Sequence, residues 1–197
     1  MNNQITQEQG HKINPPQNSD KTADPVRKNR NRRLIFYHAN PKGTGTAAQF
    51  ELRLNRDGED RYDCFFLEMA HQKTTAVAGD RQRGPATFDW AAKVTVKLDF
   101  IDICDFLLVL EERKEQAGNG NGGIYHEAAG ANALISLKKN AEHGGYFLGL
   151  SKKSKEGTQI FKGHILLSEV EAMGLCCVFQ TALFFMAFGT NPSAPAE

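Results

Sequence analysis

The sequence predicts an α+β fold in which a group of strands followed by a helix occurs twice. Three observations predict it. Apolar and polar residues alternate over several short stretches, as half-buried strands require. Two longer apolar stretches begin at helix-capping residues. Corresponding stretches recur in the same order at a spacing of roughly 70–80 residues, strands first and helix last.

The chain has 197 residues, 40% of them apolar, enough for one globular domain or two small fused units with a sizeable core. Its 24 basic and 23 acidic side chains leave a net charge of +1, which excludes no class of partner. The charges are segregated, however. Arg27, Lys28, Arg30, Arg32 and Arg33 crowd together, whereas Asp99, Asp102, Asp105, Glu111, Glu112 and Glu115 gather in one later stretch.

In chain order, residues 1–33 are rich in Asn, Gln, Pro and Lys with almost no large apolar side chain, so they are expected to form a disordered basic tail. They contain no apolar stretch resembling a signal peptide. Residues 34–189 are expected to form the ordered domain and 190–197 a short disordered tail.

The domain opens with a Lys-Gly-Thr-Gly run that leads into AAQFELRLN, where Phe50, Leu52 and Leu54 alternate with Gln49, Glu51 and Arg53. CFFLEMAHQK reads as the next strand. In KVTVKL, Val94, Val96 and Leu98 take one face and Lys93, Thr95 and Lys97 the other. DFIDICDFLLVLEERKE then reads as a helix capped by Asp99. The second pass runs ANALISLKKN, GGYFLGLSKKSK and TQIFKGHILL before SEVEAMGLCCVFQTALFFMAF, where Ser168 and Glu171 form a capping box and Gly189 is a stop. From Ala172 to Phe188 only Gln180 and Thr181 are polar. That favours burial between subunits over a membrane span, which needs about 20 apolar residues with flanking anchors.

The four cysteines lie inside apolar runs without Cys-x-x-Cys spacing. They are expected to be buried, reduced thiols of a cytosolic protein; the expected localisation is cytoplasmic and nucleoid-associated, with an organelle as the alternative. The histidines are scattered. No metal spacing, P-loop or nucleophile motif is present, so neither a cofactor nor an enzymatic activity is expected.

The remaining chemistry points to nucleic acid. Lys93 and Lys97, with Lys139 and Lys152 of the second set, put positive charge on strands, which suits a phosphate backbone. In the glycine-rich loop, Lys42 supplies charge, the N–H groups of Gly43 and Gly45 close approach, and Thr44 and Thr46 hydroxyls. Tyr37, Phe88, Trp90, Tyr146 and Phe147 lie beside basic positions, where flat rings can stack unpaired bases. Taken alone, KGTG is more often only a turn, and Phe88 and Phe147 are equally core residues.

Several stretches in order resemble the Whirly family of single-stranded DNA-binding proteins and their relatives, the kinetoplastid mitochondrial guide-RNA-binding proteins. KGTGTAAQFEL is similar to the family's Lys-Gly-Lys-Ala-Ala-Leu motif, although Thr44 or Thr46 stands where the second lysine is expected. FDWAAKVTVKL is similar to Tyr-Asp-Trp followed by a basic strand, IYHE to Phe-Phe-His-Asp, and the last apolar stretch to the family's final helix. The resemblance implies two packed antiparallel four-stranded sheets, each followed by a helix. It further implies a homotetramer centred on the helices and binding of single-stranded DNA, with RNA as the alternative, with little sequence preference. The ββββα repeat alone would also suit the purine-rich-element-binding family. A scaffold for an acidic protein and a membrane-associated protein anchored by the last helix are the competing functional classes.

Overall fold

The computed structural model describes residues 33–54, 63–77, 84–120, 122–128 and 130–188. Both tails expected from composition lie outside the described residues, apart from Arg33.

Nine strands and two helices occur among the described residues. In the first half, β1 (Arg33–His38), β2 (Thr46–Arg53) and β3 (Cys64–Thr74) form an antiparallel meander. The far edge of β3 pairs with β5 (Val94–Leu98) along one part and with the two-residue β4 (Thr87–Phe88) beyond it. A short 3₁₀ turn, Trp90–Ala92, joins β4 to β5 and is capped by the Asp89 carboxylate, which accepts from Ala92 N. Helix α1 (Phe100–Leu110) follows. The second half repeats the plan: β6 (Ile124–Glu127), β7 (Ala131–Lys139), β8 (Tyr146–Ser154) and β9 (Gln159–Leu167) form an antiparallel sheet in chain order, and α2 (Glu169–Phe188) closes it. The architecture is therefore the duplicated ββββα plan, with β4 as a small addition.

The helix starts have a clear local cause. Asp99 Oδ1 accepts from Ile101 N at 2.9 Å and Asp102 N at 3.0 Å, while Asp102 Oδ2 accepts from Asp99 N at 2.9 Å, so orphan donors at both ends of the first turn are satisfied. Ser168 and Glu171 do the same for α2: Glu171 Oε2 accepts from Ser168 N and from its hydroxyl, each at 2.8 Å.

The core lies between the sheets and the helices. Phe179 of α2 is fully buried, with its ring 5.4 Å from Phe50, 5.1 Å from Phe65 and 6.1 Å from Phe106 of α1. At the sheet junction His71 stacks on Phe161 at 4.4 Å. The two halves are also linked by His126 of β6. Its Nε2 lies 3.0 Å from Asp102 Oδ2, and its ring also makes a backbone hydrogen bond to Lys97.

Two sequence expectations change. The polar positions of β2 are not solvated: Gln49 and Glu51 are each 3% exposed, because flanking strands and long neighbouring side chains cover a central strand from both sides. Of the four thiols only Cys64 is buried, with desolvation raising its pKa. Cys104 and Cys176 are half-buried and Cys177 is exposed, because it lies on the side of α2 turned away from the chain's own core.

Candidate nucleic-acid interface

Strand parity divides the first sheet into two faces. Ala48 and Phe50 of β2, Leu67 and Met69 of β3 and Val94, Val96 and Leu98 of β5 share the face that packs on α2. The opposite face carries three cross-strand rows: Tyr37–Ala47–Ala70, Ile35–Gln49–Glu68–Thr95 and Arg33–Glu51–Phe66–Lys97.

At one end of this face the structure brings two expected stacking residues together. Tyr37 is 59% exposed, and its ring lies 5.5 Å from that of Phe88, which reaches the same face from β4. Trp90 is half-buried in the turn just beyond. In the middle row a buried carboxylate organises its neighbours. Glu68 Oε1 lies 2.6 Å from Lys93 Nζ and accepts from the Thr95 hydroxyl at 3.2 Å, and Glu68 Oε2 accepts from Gln49 Nε2 at 2.6 Å. Lys93, expected to face a phosphate unencumbered, is thus an internal counter-ion, because a carboxylate held out of water requires one. Lys97 is exposed at the far end.

The glycine-rich loop forms the β1–β2 hairpin, and its backbone polar groups are engaged within it and with Gln72 of β3. Gly43 N donates to Asn40 O, and Gly45 N donates to Gln72 Oε1 at 3.1 Å. Thr44 N donates to Asn40 Oδ1 at 3.1 Å, and Thr46 is buried. The expected backbone cradle for a phosphate is therefore closed in this conformation. The glycines serve the turn instead. Gly43 has φ 72°, and a Cβ on Gly45 would collide with His38 O and Gln72 Oε1. Lys42 remains exposed at the tip.

The second sheet sorts the other expected residues by the same parity. Tyr146 and Lys152 share the face of Leu148 and Leu150, toward the core. Tyr146 is 5% exposed and its hydroxyl donates to Leu110 O, so it is no stacking platform. Lys139, on that side too, pairs with Glu112 at 2.6 Å. That hydrogen bond raises the lysine's pKa and lowers the carboxyl's. Phe147 lies on the outward face with Lys138, whose Nζ is 5.6 Å from its ring centre. The same face carries Tyr125, His164 and Lys162. Counting positions from Leu148 and Leu150 separates the outward Phe147 and Ser151 from the inward Tyr146 and Lys152, but His164 and Tyr125 needed the cross-strand register.

Among the described residues no three His, Cys, Asp or Glu side chains gather closely enough to hold a metal ion.

No protein-family model and no curated protein sequence matches the chain. Solved structures match its fold. WHY1 from Arabidopsis thaliana aligns with a TM-score of 0.55 at 17% identity, covering 79% of this chain and 87% of that one. MRP1/MRP2 from a trypanosome aligns at 0.54 and 18%, covering 81% and 88%. The plant transcriptional regulator PBF-2 aligns at 0.53 and 19%, covering 83% and 96%. These neighbours are Whirly proteins and kinetoplastid guide-RNA-binding proteins, so the fold is the Whirly-like one that the sequence motifs resembled.

Proposed function

We propose that the chain is a non-catalytic single-stranded nucleic-acid-binding protein that works as a homotetramer joined through α2, with little sequence preference, in DNA protection, repair or transcription regulation. The observation that carries this reading is the outward face of the first sheet, with the Tyr37–Phe88 aromatic pair at one end and Lys97 at the other. A stacking pair on the same sheet face as an exposed cation suits unpaired bases on a phosphate backbone. The neighbouring guide-RNA-binding complex solved with a guide RNA, with a TM-score of 0.51 at 19% identity and covering 80% of this chain and 94% of that one, supports the same class of ligand.

Fluorescence anisotropy with labelled DNA single strand, duplex and RNA single strand at two salt concentrations tests the reading. Tighter binding of a single strand than of duplex is expected. Tyr37→Ala should weaken it by about 1–3 kcal/mol per stacked base, with little change in salt dependence. Equal, weak affinity for all three ligands would overturn the proposal.

The assembly is supported by α2. Ala172, Leu175, Phe179 and Ala182 recur at three- and four-residue steps and hold the chain's own core. Val170, Met173, Cys177, Phe184 and Phe188 form a second apolar stripe that this chain leaves exposed. The helix is also long and apolar enough to cross a membrane. Membrane insertion would have to pull Phe179 away from Phe50, Phe65 and Phe106, whereas packing against copies of itself covers the stripe and leaves that core intact.

A further inference from the structure

The end of the outward face away from Tyr37 holds a cluster that the sequence reading did not single out. Glu51 faces Arg33 directly across the β1–β2 ladder and stands two residues before Arg53 on its own strand, so all three side chains share one face. The Glu51 carboxylate accepts from Arg33 Nε at 2.9 Å and from Arg53 Nε at 3.0 Å. Its side chain is 4% exposed, whereas those of Arg33 and Arg53 are 39% and 60% exposed. The Arg53 guanidinium carbon stands 4.8 Å from the centre of the Phe66 ring, and Phe66 lies next to Glu51 in the row that ends at Lys97.

A buried acid on an outward sheet face calls for a physical reason. On a surface offered to a polyanion, its charge by itself lowers the attraction. What Glu51 supplies instead is order: it binds each arginine through Nε, the inner edge of the guanidinium. That geometry holds two long side chains side by side with their outer Nη edges available to an oxyanion, and it places one of them over an aromatic ring.

We propose that Arg33, Arg53 and Phe66 form a binding site for one phosphodiester and its adjoining base, and that Glu51 is the positioning residue that assembles it. The two guanidinium groups donate to the phosphate oxygens, and the Arg53–Phe66 pair supplies the plane against which an unpaired base packs. The site rests on the single-strand reading above and extends it. Arg33 and Tyr37 are four residues apart on the same face of β1, about 13 Å along the strand, so the two ends form one track.

The test uses the full chain and a fluorescein-labelled mixed-sequence DNA single strand, with anisotropy measured over a salt series and thermal melts beside it. Glu51→Gln makes the face one charge more positive, so a purely electrostatic surface would bind the strand more tightly. The proposed site requires the opposite, a loss of about tenfold, because two arginines ordered in advance must now be ordered on binding. Arg33→Gln should lower the slope of log affinity against log salt by about 0.7, the share of one phosphate contact on a single strand. Arg53→Lys keeps the charge, so the slope should hold while affinity falls by about three- to tenfold as the planar guanidinium over the Phe66 ring is lost. Unchanged or tighter binding by folded Glu51→Gln, or unchanged binding by Arg53→Lys, overturns the site. If Glu51→Gln does not fold, the exposed Arg53→Lys variant decides alone. A wild-type chain that binds no single strand overturns the functional reading itself, whereas a binding wild type with unaffected variants removes only this site.

Discussion

Phe184→Asp tests the assembly without disturbing the subunit. Phe184 is 56% exposed in the single chain, beside Phe185 and Phe188 with ring centres 5.9 and 5.2 Å away. Complete burial of a large apolar side chain contributes about 1.5–3 kcal/mol. Scaled by the exposed fractions of Val170, Met173, Phe184 and Phe188, covering the α2 stripe is worth about 4–8 kcal/mol per copy. A carboxylate trapped there without a partner costs several kcal/mol, on the order of the whole gain. The variant should therefore dissociate to monomer while its far-UV circular dichroism stays that of the wild type, since the self-packed residues Ala172, Leu175, Phe179 and Ala182 are untouched. Leu183 is a poorer site for the same charge, because it already packs against the chain's own core and the substitution would confound dissociation with unfolding. Size-exclusion chromatography with light scattering reads the mass. A wild type that runs as a monodisperse monomer would refute the reasoning, and one soluble only in detergent would favour the membrane alternative.

Other predictions follow from the core and the caps. Phe179→Ala should destabilise the fold by about 3–5 kcal/mol in denaturant titrations, with the loss of three ring contacts placing it at the upper end. Asp99→Ala removes an N-cap that accepts two backbone bonds and should cost about 1–2 kcal/mol by the same measurement. The hydrogen bond to Asp102 raises the His126 pKa above its ordinary value, burial opposing it. A raised folded-state pKa gives stability that is fully present below the unfolded value of about 6.5 and lost as pH rises through the folded one. Melting temperature should thus fall with rising pH more steeply in the wild type than in His126→Gln, and identical slopes would remove this link between the halves. Tyr146→Ala should destabilise the protein with binding falling only as the folded fraction falls, whereas Tyr37→Ala should do the reverse.

The sequence alone determined the two-fold strand-and-helix plan, the cap at Asp99 and the capping box at Ser168, and the excess apolar surface of the last helix. These are local features: period, cap spacing and composition act within a few residues and are written directly in the chain. Strands β1 and β6 are not legible from alternation, since RLIFYH runs its apolar residues together and IYHE is only four residues long. Tertiary structure also decided which rings are surface and which are core. Tyr37 and Phe88 come from strands with β2 and β3 between them in the chain and meet only through the register of the sheet, while Tyr146, next to Phe147 in sequence, turns inward because neighbouring side chains on a strand point to opposite faces. The pairing of Glu51 with Arg33 across 18 residues, and of Glu68 with Lys93, likewise follows from ladder register, which composition does not encode. Whether a lysine or arginine on a strand faces solvent alone or answers a buried acid is a long-range matter, and the charge of the outward face is set there.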